Sequence, residues 1–488
     1  VHLGVINQKK EPMKRIFTVI LFFLSVSIGY SQMEISAFNA TGGGYSTTFL
    51  TDYQCIGINP ANLGWTWNEN SMNLGFLETA VGIYSEPLTR KQVMGDLFND
   101  NKTLTKDEKV AASADFADKL LWAQAGVTWL GFSYQHEKVG GFALSIRDRM
   151  VWSTFLNDTA SAFLFQGYNY ETYFDSIANV GTDSITGYST DPQMASLVYQ
   201  GTKLQSVWYR EYSFGYGRKI MEKEDFTWYG GIALRYIAAY GGYQYLQNGS
   251  EVEAFSAFSP VFDVNYNEIT PSRIDGKGLK KVGDGFGFDV GFSFLIKQKI
   301  KVGLAVNDIG WITYNGNVYQ GNNVDLYKIE SAGLNNYNIF SEGQLLNADN
   351  KNDGESMWTG LEKKKVSLAM NLRAGASYEI NDKVEVGIDS YIPLNKDIPG
   401  RYEKAMISAG VHYDPAKWVQ LSLGVVSGGK TGTHLPLGVT FYPVRKDNVT
   451  WTLGFATRDV ISWFKKTNAM PSFAFGFLRF SFGELKGS

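Results

Sequence analysis

Apolar and polar residues alternate through segments of about ten residues, and most of these segments come in pairs joined by short polar turns. Successive side chains of a β-strand point to opposite faces, so each segment predicts a strand with one apolar and one polar face. Six such pairs are joined at residues 136–140, 221–226, 297–299, 381–383, 414–417 and 443–448. A strand near Met72–Tyr84 precedes them and one at Ser472–Phe482 follows, which gives fourteen strands.

The connections between the pairs are much longer than the turns within them. The longest are Glu86–Leu120, Thr154–Leu204, Tyr243–Lys281 and Ile312–Lys365, and shorter ones are Asn395–Tyr402, Gly428–His434 and Val460–Met470. Short turns at one end and long loops at the other are typical of outer-membrane barrels. The predicted fold class is therefore all-β, a transmembrane antiparallel β-barrel over residues 71–488. Thr105-Lys-Asp-Glu108 reads as a capping box, which predicts a helix to about Asp118 in the first long loop.

The two faces of the predicted strands differ in character. One face carries large apolar residues such as Phe142, Leu234 and Leu304, and we expect it to contact lipid. The other face is rich in glycine, which often marks a close approach of backbone. The segment Gln32–Asn70 has poor periodicity and precedes the first strand, so it is predicted to fold into the barrel as a plug. A disordered periplasmic tail is the alternative.

The strongly apolar segment Ile16–Ile28 follows Met13, Lys14 and Arg15 and precedes small residues at Gly29-Tyr30-Ser31. A basic start, an apolar core and a small-residue site have the form of a secretory signal peptide, and the core is too short to span a membrane as a helix. We expect cleavage near Gln32, with Val1–Pro12 being upstream sequence. The predicted location is the outer membrane of a Gram-negative bacterium, in contact with its lipid.

Charge and cysteine content exclude some partners and cofactors. Residues 1–31 contain four of the 45 basic and one of the 48 acidic residues, so the remaining chain has a net charge near −6. This balance gives no reason to expect nucleic acid as a partner. Cys55 is the only cysteine, which rules out an internal disulfide and a cysteine metal cluster. No cofactor is predicted.

The run Asn59-Pro60-Ala61-Asn62-Leu63 stands just before the first strand, and Gly285–Gly291 with Val302–Gly310 forms a pair of glycine-rich strands. With the count of about fourteen strands, these features resemble the FadL-type transporters of hydrophobic compounds and their PorV-like relatives. Asn62 stands where that family has glycine. The resemblance implies a barrel plugged by its N-terminus, with Asn59, Pro60, Ala61 and Leu63 as the plug motif. It also implies hydrophobic ligand entering among the outer loops, or, for PorV-like members, a role as partner of secretion machinery.

The sequence predicts a protein that is not an enzyme. Of the histidines His136, His412 and His434, only His412 falls on the inward face of a predicted strand. A barrel hydrolase would need a serine within hydrogen-bond reach of it, and we identify none at matching spacing on that face. The run Asp349–Gly354 partly resembles a calcium loop, but Lys351 occupies a ligand position, so an exposed polar loop is expected.

Eight charged residues fall on the predicted inward face, four of each sign: Arg147, Arg149, Glu211, Arg235, Asp289, Arg373, Glu385 and Asp389. Uncompensated charge in a narrow lumen is costly, so we expect ion pairs between wall and plug. A binding role of the arginines for an ion or a carboxylate is the alternative.

The last strand carries Phe473, Phe475 and Phe477 on one parity and Leu478, Phe480 and Phe482 on the other. This switch predicts a bulge near Phe477 or a strand that is apolar on both faces. Phe480 and Phe482 are the predicted assembly signal.

The long loops contain clustered aromatic residues, among them Phe163, Phe165, Phe255 and Phe258. We expect them to fold together, either as an apolar entry site or as a docking surface for another protein. Two functions follow: a passive channel for hydrophobic small molecules, or an accessory barrel that docks a larger outer-membrane protein complex for secretion or assembly.

Overall fold

The computed structural model describes residues 46–65 and 70–484, apart from gaps at residues 98, 100–102, 180–184, 249–250, 265, 267, 338–350, 353–354, 401–403, 430 and 447. The predicted signal peptide and residues 32–45 of the predicted plug lie outside this part. Fourteen long strands form the barrel: β1 Asn70–Ser85, β2 Leu120–His136, β3 Gly140–Phe155, β4 Lys203–Lys223, β5 Phe226–Asn248, β6 Gly283–Ile296, β7 Ile300–Tyr314, β8 Asn371–Asn381, β9 Val384–Pro393, β10 Met406–Ala416, β11 Val419–Gly428, β12 Leu437–Lys446, β13 Val449–Thr457 and β14 Ser472–Glu484.

Each barrel strand pairs antiparallel with its neighbour in the chain, and the sheet closes on itself. The closing ladder joins β1 to β14, with Met72 opposite Phe482 and Val81 opposite Phe473. Closure leaves no unpaired strand edge in the barrel wall, as a span across lipid requires. The predicted fourteen-stranded antiparallel barrel is therefore confirmed.

Alternation along the strands separates the two faces of the wall. In β3, Phe142 and Leu144 are exposed while Ala143 and Ser145 are buried. Exposed apolar side chains follow the same rule around the barrel, as Leu234 shows on β5. Large apolar side chains therefore lie on the outer face, and small or polar ones lie on the inner face.

Local register shifts interrupt this alternation at a few places. One lies in β7 between Val306 and Ile309, where Asp308 has φ 58°, and another lies where β13 meets β14. At the second shift, Thr452 is opposite Arg479 and Gly454 is opposite Gly476, so β14 has one extra residue. The switch of parity in the last strand is thus a bulge near Phe477.

The long loops contain their own secondary structure. Their described residues include four helices, α1 Arg90–Gly95, α2 Lys106–Phe116, α3 Asp158–Gln166 and α4 Ala195–Val198. Thr105 and Glu108 form the predicted capping box of α2. Short loop strands are Ser176–Asn179, Ile185–Tyr188, Glu251–Phe258, Val318–Gly321, Lys328–Ile329, Lys351–Asn352, Glu355–Ser356, Trp358–Gly360 and Lys364–Ser367, and 3-10 turns are Gly167–Asn169, Pro260–Phe262 and Val460–Trp463.

Several strand boundaries differ from the sequence prediction, and two of these differences lie at the long-loop end. β5 continues to Asn248 and pairs with Glu251–Phe258, in a stretch predicted as loop from Tyr243. β8 begins at Asn371, not Leu368. The short strand Lys364–Ser367 pairs with the long-loop end of β7, and the chain bends between this short strand and β8. Within the described part of the chain, we find no helix with the length and apolarity needed for a membrane span.

The long loops pack into one apolar roof over the long-loop end of the barrel. Phe116 of α2 and Phe165 of α3 lie 4.8 Å apart between ring centroids, and both are buried. The buried members of the roof include Leu97, Leu104, Leu121, Leu156, Phe163, Leu164, Phe174, Leu204, Tyr243, Tyr245, Phe258, Leu326 and Trp358. The four longest loops therefore form an ordered apolar layer that is continuous with the long-loop end of the wall.

Candidate functional site

Residues 46–65, here called the lumenal segment, lie inside the barrel against the inward faces of its strands. The segment contains two 3-10 turns, Tyr53–Cys55 and Pro60–Gly64. Asp52 caps the first turn by accepting a hydrogen bond from Gln54 N at 2.9 Å. Nearly all its residues are buried, although the segment is rich in polar groups.

The Asn59-Pro60-Ala61 motif starts the second turn and joins it to β6. The Asn59 side chain accepts a hydrogen bond from Ala61 N at 3.2 Å and donates to Ser293 Oγ at 2.9 Å. Pro60 suits the first position of the turn because a backbone N–H there would have no partner, and proline has none. Asn59 therefore fixes both the shape of the turn and its place on the wall.

Asn62, which stands where the resembling family has glycine, ties the two halves of the segment together. Its amide donates to Leu50 O at 2.7 Å and Thr47 O at 3.0 Å. Its carbonyl oxygen accepts from Ser293 Oγ at 2.5 Å. Asn62 thereby gives this chain a hydrogen-bonded link that glycine cannot provide.

Glycines on the wall make room for the motif. A Cβ on Gly231 of β5 would lie 2.4 Å from Pro60, and a Cβ on Gly291 of β6 would lie 2.1 Å from the Asn59 side chain. Real side chains do not approach so closely, so only glycine permits this contact. Leu63 packs beside these contacts in an apolar cluster with Leu50, Tyr53, Ile56, Ile58, Ala143 and Ala233.

A cluster of six charges, buried except for the partly exposed Arg149, lies in the wall beside the segment: Arg147 and Arg149 of β3, Glu211 of β4, Arg235 of β5, Asp289 of β6 and Asp308 of β7. Arg235 is fully buried and contacts Glu211 at 3.1 Å, Asp308 at 2.5 Å and Asp289. Glu211 also contacts Arg147 at 2.9 Å and Arg149 at 3.2 Å. Three positive and three negative groups balance, which is what burial of this much charge requires.

Two acidic side chains of the wall hold the lumenal segment by its backbone. Asp289 accepts a hydrogen bond from Gly57 N at 3.1 Å. Asp389 of β9 accepts from Ser46 N at 3.0 Å, from Thr47 N at 2.9 Å and from Thr47 Oγ1 at 2.8 Å. Hydrogen bonds to charged groups are among the stronger ones.

The other two predicted inward charges lie apart from this cluster. Arg373 of β8 is buried and stacks over the ring of Tyr391 at 5.2 Å. Glu385 of β9 lies nearer the short turns and contacts Lys301 at 3.2 Å. The structure thus brings together five of the eight predicted charges and distributes the remaining three along β8 and β9.

The sequence prediction missed several charged residues that contact the segment or the cluster. Asp308 is turned inward by the register shift in β7, which strict alternation does not anticipate. Asp52 of the segment pairs with Arg479 of β14, and Tyr53 donates a hydrogen bond to the buried Glu78 of β1. Alternation along β7 does place Lys301 inward, so that residue could have been found.

The expectation that no serine faces His412 is wrong. Ser422 of β11 lies directly opposite His412 of β10, and Ser422 Oγ is 2.8 Å from His412 Nδ1. The register between the two strands, which sequence spacing does not reveal, sets this pair. The His412 ring is covered by Phe49 of the segment, whose ring stacks on it with centroids 3.7 Å apart. The histidine therefore anchors the segment to the wall.

A second histidine joins two loops at the long-loop end. His434 Nδ1 lies 3.6 Å from Asp459 Oδ2, and His434 Nε2 lies 2.8 Å from Thr431 Oγ1. Burial raises the pKa of Asp459, but hydrogen bonds from His434, Ser462 and Leu435 N outweigh this and hold that pKa below its ordinary value. Burial also lowers the pKa of His434. The contact, here called the loop clip, joins residues 429–436 to residues 458–471.

Phe480 and Phe482 lie on the outward face of β14, half-buried between the neighbouring strands. Phe480 is opposite Leu74 of β1 and stacks on Trp451 of β13. Phe482 is opposite Met72 and Val449. Both side chains thus lie at the seam where the barrel closes.

Comparisons with known proteins give a family but no curated relative. Residues 79–445 match the profile of a family of unknown function, DUF5723. No curated protein matches the sequence.

Several solved structures are similar to the chain. The toluene transporter TodX of Pseudomonas putida is 11% identical with a TM-score of 0.41, and the match covers 93% of this chain and 98% of that one. The toluene transporter TbuX of Ralstonia pickettii is 12% identical with a TM-score of 0.42, covering 92% and 98%. A FadL homologue of Pseudomonas aeruginosa is 10% identical with a TM-score of 0.41, covering 93% and 96%.

Proposed function

The chain belongs to DUF5723, a family of unknown function, and we propose that it forms an outer-membrane channel for a hydrophobic small molecule. In this proposal the lumenal segment is a plug that closes the lumen, and the apolar roof is where the ligand first binds. The observation that carries the proposal is the contrast between these two layers. The roof is apolar and aromatic, whereas the segment beneath it is held by polar bonds.

The outward surface of the barrel supports a membrane location. Ile232, Ile388 and Ile407 are more than half exposed there, at 51%, 60% and 69% of their surface. Side chains so exposed are stable in lipid and costly in water. Aromatic pairs lie on the same surface: Trp228 with Phe294 and Trp451 with Phe480 toward the short turns, and Tyr236 with Phe286 toward the long loops. The short-turn end then faces the periplasm and the roof faces outward.

The roof supports a hydrophobic cargo over a polar one. Phe163 is surrounded by Tyr170, Tyr173, Phe174 and Tyr199, all with ring centroids within 6.1 Å. An apolar compound gains free energy on leaving water for such surroundings, at about 25 cal/mol for each Å² that it buries. A charged solute would lose hydration there without a partner.

The plug role of the segment rests on the kind of contacts that hold it. Asp289 and Asp389 of the wall bind the segment through hydrogen bonds, and Asn59 of the segment donates one to Ser293 of the wall. Such bonds can be exchanged for water when the segment shifts. The segment contacts β5 and β6 at glycines, so no wall side chain blocks its movement at these contacts. A segment held in this way can be displaced without unfolding the barrel.

Native mass spectrometry of the full chain, extracted in mild detergent, tests the cargo. We expect an apolar small molecule to co-purify, and we expect Phe163→Ser, which places a hydroxyl in the roof, to reduce its occupancy severalfold. Phe477→Ser on the lipid-facing surface is the matched control and should leave occupancy unchanged. Equal occupancy in the two variants, or no apolar ligand in the unchanged protein, would contradict the proposal.

An accessory barrel that docks a larger outer-membrane complex is the second candidate. The observation that favours it is a set of apolar residues exposed on the loops, with Ile177 52%, Leu197 59% and Ile269 84% exposed. The same extraction separates the two functions. A protein partner that co-purifies in fixed stoichiometry and is lost on Leu197→Ser and Ile269→Ser, without an apolar ligand, would support docking.

A further inference from the structure

A polar cavity of about 360 Å³ lies at the short-turn end, between the lumenal segment and the wall. This cavity, here called the vestibule, is roofed by Phe49, Asp52 and Trp65 of the segment. The wall residues that line it include Lys301, Glu385, Gln420, Thr440, Arg445 and Arg479. Its volume falls in the range of small-molecule sites.

Five charged side chains line the vestibule. Three are cationic, Lys301, Arg445 and Arg479, and two are acidic, Asp52 and Glu385. Arg479 pairs with Asp52 of the segment, and its side chain is 16% exposed. Lys301 contacts Glu385 at 3.2 Å and Glu379 of β8 at 2.6 Å. Three cationic side chains thus line one small cavity, and carboxylates of the protein lie beside them.

Arg445 has the most open position of the three cations. It lies at the rim, exposed, where it donates a hydrogen bond to Lys417 O at 3.2 Å and stacks over the ring of Tyr442 at 4.9 Å. Stacking on the aromatic ring orients the planar guanidinium at the rim of the vestibule. Gln420, Thr440 and Thr450 supply further hydrogen-bonding groups around the same space.

We propose that the vestibule is a binding site for a small anion, a carboxylate or phosphate group, recognised by Arg445, Arg479 and Lys301. Guanidinium groups match the two oxygens of such anions in a bidentate fork. The carboxylate of Asp52 occupies the corresponding place on Arg479. An anion in the vestibule competes with Asp52 for this arginine and thereby loosens the attachment of the lumenal segment to β14.

If an anion competes with Asp52 for Arg479, removal of the Asp52 charge should strengthen anion binding. Asp52→Asn removes the internal competitor, while asparagine still caps the turn by accepting from Gln54 N. Anion affinity should therefore rise, by about tenfold. Asp382→Asn is the matched control, because it removes the same charge from an exposed short turn outside the vestibule.

Isothermal titration calorimetry tests the site. The full chain is measured in detergent, at a constant ionic strength set with sodium chloride. Inorganic phosphate and glutarate are the two probes, and which of them binds separates a phosphate ligand from a carboxylate. We expect saturable binding of at least one, weakened about tenfold or more by Arg445→Gln at the exposed rim. Arg273→Gln, in an exposed outer loop, should leave the affinity unchanged.

Two results would overturn the proposal. One is the absence of saturable binding for both anions in the unchanged protein. The other is an equal gain in affinity for Asp52→Asn and Asp382→Asn, which would assign the effect to overall charge. Heat-modifiable migration of each variant on gels shows that the barrel is folded, and Arg445→Gln tests recognition even if Arg479 variants fail to assemble.

Discussion

The carboxylate of Asp289 accepts a hydrogen bond from the backbone N–H of Gly57 at 3.1 Å, and the same carboxylate contacts Arg235. One buried acid thus belongs both to the charge cluster of the wall and to the attachment of the lumenal segment. Any change that removes its charge should therefore affect the stability of the wall and the position of the segment together.

Asp289→Asn should lower the free energy of unfolding by about 3 kcal/mol, because it leaves buried positive charge without one of its partners. The amide can still accept from Gly57 N, so the loss reflects the charge and not the size of the side chain. Urea titration in detergent, followed by heat-modifiable migration, measures it. Asp225→Asn, in an exposed short turn, is the control and should change the value by less than about 0.5 kcal/mol. An equal effect of both substitutions would contradict the role of the cluster.

Deletion of Gln32–Gly57 should leave the barrel folded and raise its conductance in planar bilayers. The deleted residues include Thr47, Phe49 and Tyr53, whose side chains fill the lumen against Asp389, His412 and Glu78. Asp389→Asn should give a weaker form of the same effect, with intermittent openings, because it removes the charge that holds Ser46 N and Thr47 N. Unchanged conductance in a folded deletion variant would show that the segment does not close the lumen.

The barrel could be predicted from the sequence because the wall has chemically different faces. Lipid requires large apolar residues at alternate positions, as in Phe142 and Leu144, and that pattern is local in the chain. The alternation of short turns with long loops is equally local. Strand number, strand direction and the capping box at Thr105 and Glu108 all follow from such short-range signals.

The candidate sites were only partly predictable, because they depend on register. The pair His412–Ser422 is set by which residues of two strands lie opposite one another, and Asp308 reaches the charge cluster through a register shift. The pairing of β5 with Glu251–Phe258 extends the sheet into a loop whose aromatic residues show no clean alternation. Contacts such as that between Asp52 and Arg479 join residues that are far apart in the chain, so no local sequence pattern predicts them.

Replacing Phe480 and Phe482 with serine should impair assembly in the outer membrane. Both side chains lie at the closing seam, where they pack between β1 and β13, so their loss removes apolar surface from the ladder that closes the barrel. The level of heat-modifiable protein in outer-membrane fractions measures the effect, and we expect a drop of severalfold. Phe473→Ser with Phe475→Ser, on the same strand before the bulge, is the control that distinguishes an end signal from apolar content. Wild-type levels of the Phe480 and Phe482 variant would contradict the prediction.

The loop clip should weaken in acid. Burial lowers the pKa of His434 below the unfolded value of about 6.5. As the pH falls below this value, the unfolded loops therefore bind more protons than the folded clip. Its stability is therefore complete at neutral pH and declines below about pH 6.5. The pKa of Asp459 is likewise held below its unfolded value of about 3.9, so a further loss sets in below about pH 4.

Hydrogen exchange of the peptides that cover residues 429–436 and 458–471 measures this decline. Exchange should accelerate severalfold between pH 7 and pH 5, after correction for the intrinsic pH dependence of exchange. Gln is close to His in size and does not titrate, so His434→Gln should abolish the step near pH 6 and keep the one below pH 4. The loop at residues 394–400 contains no histidine and serves as the internal control. Protection that stays constant from pH 7 to pH 5 in the unchanged protein would show that His434 does not control the contact between the two loops.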